Sequence, residues 1–244
     1  MSIVRLDRFF ADLHIGSRKQ IREYIRSGRV KVNGSCVTRN DLHIDTDKDR
    51  IYFDDIHMPY ISDRYYMLNK PAGAVSATRD GLSPTVLDIM SDVDTSGLFP
   101  VGRLDKDTEG LLIISDDGGL AHFLLSPKRA VEKKYEVHLK SPLDAFAIKI
   151  LEEGADIGDD TPALPAKVEI SGNDKNGNQV LYLSIVEGRF HEVKRMISAV
   201  GSEVCFLKRV SFGSLTLDED LPAGAYRRLS DMEVEALKKD AGLM

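Results

Sequence analysis

Nowhere in this chain do aliphatic residues run together for longer than Leu111-Leu112-Ile113-Ile114. Four residues make a strand, far short of the roughly 20 that a membrane-spanning helix needs. Elsewhere the apolar residues keep one of two periods. Leu6, Phe9, Phe10 and Leu13 form an i, i+3, i+4, i+7 stripe, and Ile21, Tyr24 and Ile25 form another, so a helix is expected at each. Ser17-Arg18-Lys19-Gln20 has the form of a capping box for the second, and Gly28 is a natural terminator. Val30-Lys31-Val32 alternates as a strand does, and Asn33-Gly34 turns it into a return strand over Ser35 to Thr38. Farther on, the stretch from Tyr65 reads as a strand ended by the Pro71–Gly73 turn, and Ser83-Pro84-Thr85 starts a helix through about Met90. Strands are expected at 111–114, around Tyr135, Val137 and Leu139, and near 167–170, 180–186, 204–207 and 214–217. Helices are expected after Asp116-Asp117-Gly118, over Arg189 to Val200, and behind Ser230 with Glu233 at N3. Loops fill 153–166 and 171–179. Strands outnumber helices and most connections are hairpin-like. The expected class is therefore α+β: a small helix-helix-hairpin unit, then a mixed, largely antiparallel sheet with flanking helices.

The expected boundaries are 1–56 for the small unit, 57–63 for a proline-containing linker, and 64–244 for the large one. The N-terminus has no apolar stretch after Arg5, so no signal peptide is expected. Cys36 and Cys205 stand apart with no CxxC or CxxH neighbour. That argues against a disulfide framework or a zinc site and for a reducing cytoplasm. A monomer is the default.

A formal net charge of −6 argues at first against a polyanionic partner. The average hides an asymmetry: residues 1–39 carry nine Lys/Arg against three Asp/Glu, and residues 40–60 carry two against six. A concentrated basic head can bind a polyanion because the local potential governs the encounter. Arg18, Arg22, Arg26 and Arg29 follow one another along one side of the second helix, with Glu23 among them, and Lys31 comes next. The ordinary reading of such a row is a solvated helix face. Four unpaired arginines repel one another unless an anion is present, which favours phosphate. The order Arg5-Leu6-Asp7, Ser17-Arg18, Gly28-Arg29-Val30-x-Val32-Asn33-Gly34 closely resembles the S4-like RNA-binding domain over about residues 3–55.

The chemistry is expected at Gly102 to Gly110, where seven of nine residues are charged or glycine ahead of an aliphatic strand. Read from composition alone, Asp105 is as readily a turn carboxylate bonded to nearby amides. The run Gly102-Arg103-Leu104-Asp105-x-x-Thr108-x-Gly110-Leu111-Leu112 is a long match to the signature of the pseudouridine synthases. It is most similar to the branch that modifies ribosomal RNA and carries an S4-like head. Four more segments are similar to motifs of that family: Asn69-Lys70-Pro71-x-Gly73, Lys134-Tyr135, Glu187 to Met196, and Val204 to Arg209. One departure is Glu192, where the family commonly has glutamine after the histidine.

The resemblance implies Asp105 as the catalytic carboxylate, Tyr135 as the active-site tyrosine and Lys194 as its basic partner. It also implies Leu207 beneath the substrate base. Arg103 is expected to hold phosphate or the flipped nucleotide, since a stacked base cannot enter a pocket. Lys70, Arg189 and Arg195 are expected as phosphate contacts, and Arg18, Arg22, Arg26, Arg29 and Lys31 as RNA contacts of the head. Forming pseudouridine breaks N1–C1′ of uridine and rejoins the base through C5, with no net redox change. Neither cofactor nor metal is called for, and no phosphate-binding Gly-rich loop or His/Cys cluster occurs. The implied partner is ribosomal RNA or an assembling ribosomal subunit. The segment Pro162-x-x-Pro165-Ala166-Lys167-Val168 and the chain's end most resemble the small-subunit branch of the family, which implies 16S over 23S rRNA. A catalytically silent RNA-binding assembly factor and a hydrolase using Asp105 are the competing classes. The second lacks a second carboxylate motif or metal ligands at suitable spacing.

Overall fold

The computed structural model describes residues 3–13, 15–59 and 63–244. Two units separate, Met1–Asp63 and Arg64–Met244. The expected linker at 57–63 falls partly on residues 60–62, outside the described residues. His57, its first residue, belongs instead to a strand (β6 below).

The first unit runs β1 (Ile3–Arg5), α1 (Leu6–Asp12), α2 (Arg18–Arg26), β2 (Val30–Val32), β3 (Ser35–Cys36), β4 (His43–Asp45), β5 (Ile51–Phe53) and β6 (Ile56–His57). The capping box forms at Ser17 and Gln20, supplying partners to amides that the first turn of α2 leaves free. Asn33 and Gly34 both take positive φ, the geometry that lets a two-residue turn follow the twist of its strands. Leu6, Phe9, Phe10, Ile21, Ile25, Val30, Ile44 and Ile51 close into one buried cluster. The sequence reading stopped at the hairpin. The acidic stretch beyond it in fact supplies β4 to β6, giving a β3-β2-β5-β6 sheet and a β1-β4 pair.

The second unit runs β7 (Tyr65–Lys70), β8 (Phe99–Val101), β9 (Glu109–Ser115), α3 (Gly118–Leu125), β10 (Lys133–Leu139), α4 (Ala145–Glu153), β11 (Lys167–Asn173), β12 (Gln179–Ile185), α5 (Glu192–Ala199), β13 (Val204–Phe212), β14 (Leu215–Thr216), β15 (Tyr226–Arg228) and α6 (Asp231–Asp240). The sheet order is β11-β12-β10-β13-β9-β7-β15, with β8 paired to β9 and β14 to β13. The β9–β13 pair is parallel and every other pair is antiparallel. This is the α+β class that the short-run pattern leads one to expect. The aliphatic run sits at the sheet's centre and feeds both faces. Leu112 and Ile114 join one core cluster, and Leu111 and Ile113 the other. Each such side chain contributes about 1.5–3 kcal/mol of burial, so this strand anchors both layers.

Three expectations fail locally. No helix forms over 83–90: Thr85 and Asp88 bond each other's backbone and close one turn, and the Asp/Ser/Thr-rich stretch behind it favours turns over a helix. The expected loop at 171–179 is shorter, because β11 and β12 continue to Asn173 and from Gln179. Helix α5 starts at Glu192, three residues late, because His191 takes a left-handed φ of 49°. Helix α4 was not foreseen; its N-cap is Asp144, which accepts from the Ala147 amide.

Candidate active site

The Gly102–Thr108 loop leaves β8 and enters β9. Gly102 opens it with a φ of +81°. Gly110 ends it where β9 meets β13, and a Cβ there would strike the Arg209 backbone. The two glycines of the motif are therefore steric requirements. Three anchors hold the loop from beneath. Ser76 Oγ accepts from the Leu104 amide at 3.0 Å and donates to the Leu104 carbonyl at 2.9 Å. The Gly73 amide donates to the Lys106 carbonyl at 2.7 Å. Lys70 Nζ donates to the carbonyls of Pro71, Lys106 and Thr108 at 3.0, 3.3 and 2.7 Å. Lys70 is fully buried, so the expectation that it contacts phosphate gives way. All its donors are spent on carbonyls, and burial pulls its pKa down to about 8.

Asp105 sits on this loop with about a quarter of its side chain exposed. Its Oδ2 lies 3.0 Å from Lys194 Nζ, and its Oδ1 3.5 Å from His191 Nε2. Lys194 also reaches Asp107 at 2.6 Å. Burial works against the charge on Lys194, but hydrogen bonds to Asp107 and Asp105 outweigh it and raise its pKa. Asp107 is lowered in turn by that same bond. Both partners of Asp105 come from the start of α5. Lys194 lies in its first turn, and the left-handed backbone at His191 turns that ring toward Asp105. His191 was not singled out in the sequence, because nothing in residue type or spacing announces a positive φ at a histidine.

Beside Asp105 opens a cleft of about 860 Å³, sharing walls with a smaller recess of about 70 Å³. Tyr135 lines both and is 8% exposed. Leu207, paired through β13 with Val137 of β10, lines the recess. Arg103 lines both cavities, is exposed, and makes no ion pair among the described residues. Two buried cations, Lys133 and Arg209, also line the cleft. Lys133 donates to the Val131 carbonyl at 2.9 Å; burial, then repulsion from Arg209, pulls its pKa down to about 8. Arg209 donates from Nε to the Leu111 carbonyl at 2.8 Å, and its buried Nη2 has no partner. Sequence reading missed both, since only burial separates them from surface lysines and arginines.

Arg189 and Arg195 correct a further expectation. Arg189 donates to Glu187 and to the carbonyls of Thr161 and Pro162. Arg195 donates to the carbonyls of Ile157 and Phe190 and pairs with Asp159. Both tie the 157–162 segment to the start of α5 and spend most of their donors there, although Arg189 also lines both cavities. In the first unit, Arg18, Arg22 and Arg26 are exposed and make no ion pair among the described residues. Arg29 and Lys31 do not continue that free row: Arg29 pairs with Asp54 and lies over Tyr24 and Phe53, and Lys31 bonds Asp55 at 2.5 Å. No trio of His, Cys, Asp or Glu among the described residues is placed to hold a metal ion.

Comparison with known proteins agrees with this arrangement. Residues 64–199 match the RNA pseudouridylate synthase family, and residues 4–51 match the S4 domain. An RNA pseudouridine synthase of Bacillus subtilis is 43% identical over 97% of this chain and 99% of its own length. The ribosomal small subunit pseudouridine synthase A of Haemophilus influenzae is 40% identical over 97% and 100%. The crystal structure of a pseudouridylate synthase superposes with a TM-score of 0.67 at 38% identity, covering 96% of this chain and 99% of that one. The chain thus belongs to the RNA pseudouridine synthases, with an S4 domain preceding the synthase fold.

Proposed function

We propose that this enzyme isomerises one uridine of 16S ribosomal RNA to pseudouridine in the cytoplasm, with Asp105 as the catalytic carboxylate and no cofactor. One observation carries the reading. Asp105, ion-paired at 3.0 Å to Lys194, faces a recess with Tyr135 and Leu207 on its walls. Lys194 sets a compensating positive charge beside that carboxylate. In the reaction the N1–C1′ bond breaks, the uracil turns, and C5 bonds to C1′; the C5 proton leaves and N1 regains one. Asp105 assists by attack on C1′ or C6, or by stabilising a glycal-forming elimination. Tyr135 stacks on the base and is placed to serve in proton movement. Leu207 supports the base from below. Arg103 holds the flipped nucleotide, whose extrusion costs a few kcal/mol of unstacking. The remaining donors of Lys133 and Arg209 suit its phosphate. The head adds phosphate contacts through Arg18, Arg22 and Arg26.

The small-subunit target is supported by several ribosomal small subunit pseudouridine synthases A that are 34–40% identical over nearly their whole length. Incubation with RNA carrying tritium at uridine C5 tests the reaction: isomerisation releases the label, binding alone does not, and hydrolysis frees uracil. Mapping pseudouridines in 16S and 23S rRNA from cells lacking the protein tests the target. A site lost from 23S alone would overturn the 16S assignment.

A further inference from the structure

The turn that carries His191 and Lys194 to Asp105 is built on two carboxyl groups that lie almost out of water. Glu192, the first residue of α5, is 4% exposed, and the Glu187 side chain is 12% exposed. Glu187 accepts from the Leu164 amide at 2.7 Å and from Arg189 Nε at 3.0 Å. Glu192 Oε2 accepts from the Arg189 amide at 2.8 Å. Its other oxygen, Oε1, is buried with no donor in reach. Both carboxyls thus accept from Arg189, Glu192 from its amide and Glu187 from its side chain, and each acts on the other's charge.

Two ionised carboxylates cannot share a dry site without strong repulsion, and a buried acceptor with no donor is costly. One proton removes both problems. Placed on Oε1 of Glu192, it turns the orphan acceptor into a donor, with Glu187 the neighbouring carboxylate to accept from it. We propose that Glu187 and Glu192 share a proton, and that this acid–carboxylate bond is the latch holding the 187–194 turn in the form that positions His191 and Lys194. Glu192 is thus a positioning residue, acting through the start of α5. The synthase reading gives the latch its purpose, but the latch itself can be tested without substrate.

The charged groups facing Glu192 are Glu187 and Arg189 on the preceding loop and Lys133 on β10. Burial is the largest influence on Glu192, followed by its bond to Glu187, and together they raise its pKa to about 7. The cations reduce that rise without cancelling it. An acid whose folded pKa is raised stabilises the fold fully only below its ordinary value near 4.5. That stabilisation is lost as pH climbs through about 7, so the latch weakens on the alkaline side of neutrality.

Glu192→Gln supplies a neutral amide of the same shape whose N–H can donate to Glu187 at every pH. Thermal melting of the whole chain, parent and variant, from about pH 6 to about pH 8.5 reads the latch directly. The parent should lose about 5 °C more than the variant over that range. Amide exchange over residues 187–194 should quicken with pH in the parent and stay flat in Glu192→Gln. Equal melting shifts in the two proteins would overturn the shared proton, as would a variant less stable than the parent at the alkaline end. Should Glu192→Gln fold poorly, a carbon-13 carboxyl titration of the parent decides the matter. A buried glutamate titrating near its ordinary value would exclude the latch. None of these readouts requires pseudouridine formation, so they separate failure of the latch from failure of the synthase assignment.

Discussion

The arginines of helix α2 and the basic residues around the Asp105 loop look alike in sequence and differ in what they touch. Arg18, Arg22 and Arg26 are exposed with no ion pair among the described residues. Lys70, Arg189 and Arg195 give their donors to backbone carbonyls and nearby carboxylates of their own unit. Lys194 is a third kind, shared between Asp105 and Asp107. The difference is one of available donors. A cation whose hydrogen bonds are spent inside the protein fixes a loop, and one whose donors face solvent can neutralise phosphate. Basic motif residues therefore divide into those whose donors are spent building the site and those whose donors stay open to solvent, and residue type does not divide them.

Substitutions can break that division, beginning with the one expected to cost most. Lys194→Met should lower turnover by on the order of a hundred- to a thousandfold while RNA affinity falls little, because it strips the site of a preorganised charge. Single-turnover kinetics beside filter binding would separate the two. A loss confined to affinity would move Lys194 among the RNA contacts. The raised pKa of Lys194 sharpens this further. Its pairing is fully present below the ordinary lysine value of 10.5 and is lost only as pH rises beyond it. The parent's pH–rate profile between about pH 6 and 10 should thus contain no step that Lys194→Met abolishes.

Next in size is Lys70→Met, which takes the Lys70 donor from the Pro71 and Thr108 carbonyls in a dry place and leaves the Lys106 carbonyl only the Gly73 amide. A cost of about 3 kcal/mol or more is expected, read as a lowered Tm. The salt dependence of RNA binding should stay the same. A stable variant with a shallower salt slope would contradict the clamp and restore Lys70 to phosphate. Arg195→Ala should act in the same sense and more mildly, loosening the 157–162 segment in amide exchange before it touches RNA affinity.

The smallest effect on stability is expected from the head. Replacing Arg18 and Arg22 by alanine should leave Tm unchanged and flatten the log-affinity against log-salt slope by about 1.4, near 0.7 per lost phosphate contact. Adding Arg29→Ala should flatten it little further, because that guanidinium is already held by Asp54. An equal decrement for Arg29 would show that its ion pair opens for RNA.

What was legible in the sequence was local or periodic. The capping boxes at Ser17 and Ser230 involve residues three apart, and both form as read. The aliphatic run at 111–114 declares a central strand by composition alone. The Asp105–Lys194 pairing came from motif resemblance, since no spacing rule links residues 89 apart in sequence. What was not legible depended on burial. Lys70, Arg189 and Arg195 look like phosphate ligands until the carbonyls around them are in view. Lys133 and Arg209 carried no signal beyond their charge, and the left-handed turn at His191 is imposed by the 187–194 segment around it. Residues 83–90 show the opposite failure: Val86 and Met90 are buried as a helix face would bury them, yet the segment closes as a turn around Thr85 and Asp88.

The central claim is that Asp105 performs chemistry and does not merely shape its loop. Asparagine keeps the shape and the turn hydrogen bonds but cannot act as an anionic nucleophile or base. Tritium release from C5-labelled uridine RNA, measured for the parent and Asp105→Asn together with RNA affinity and Tm, tests it most directly. The account predicts a loss of several orders of magnitude in release, up to about a millionfold, with Tm and affinity nearly unchanged. Release within about tenfold of the parent would contradict it, as would a loss explained entirely by unfolding.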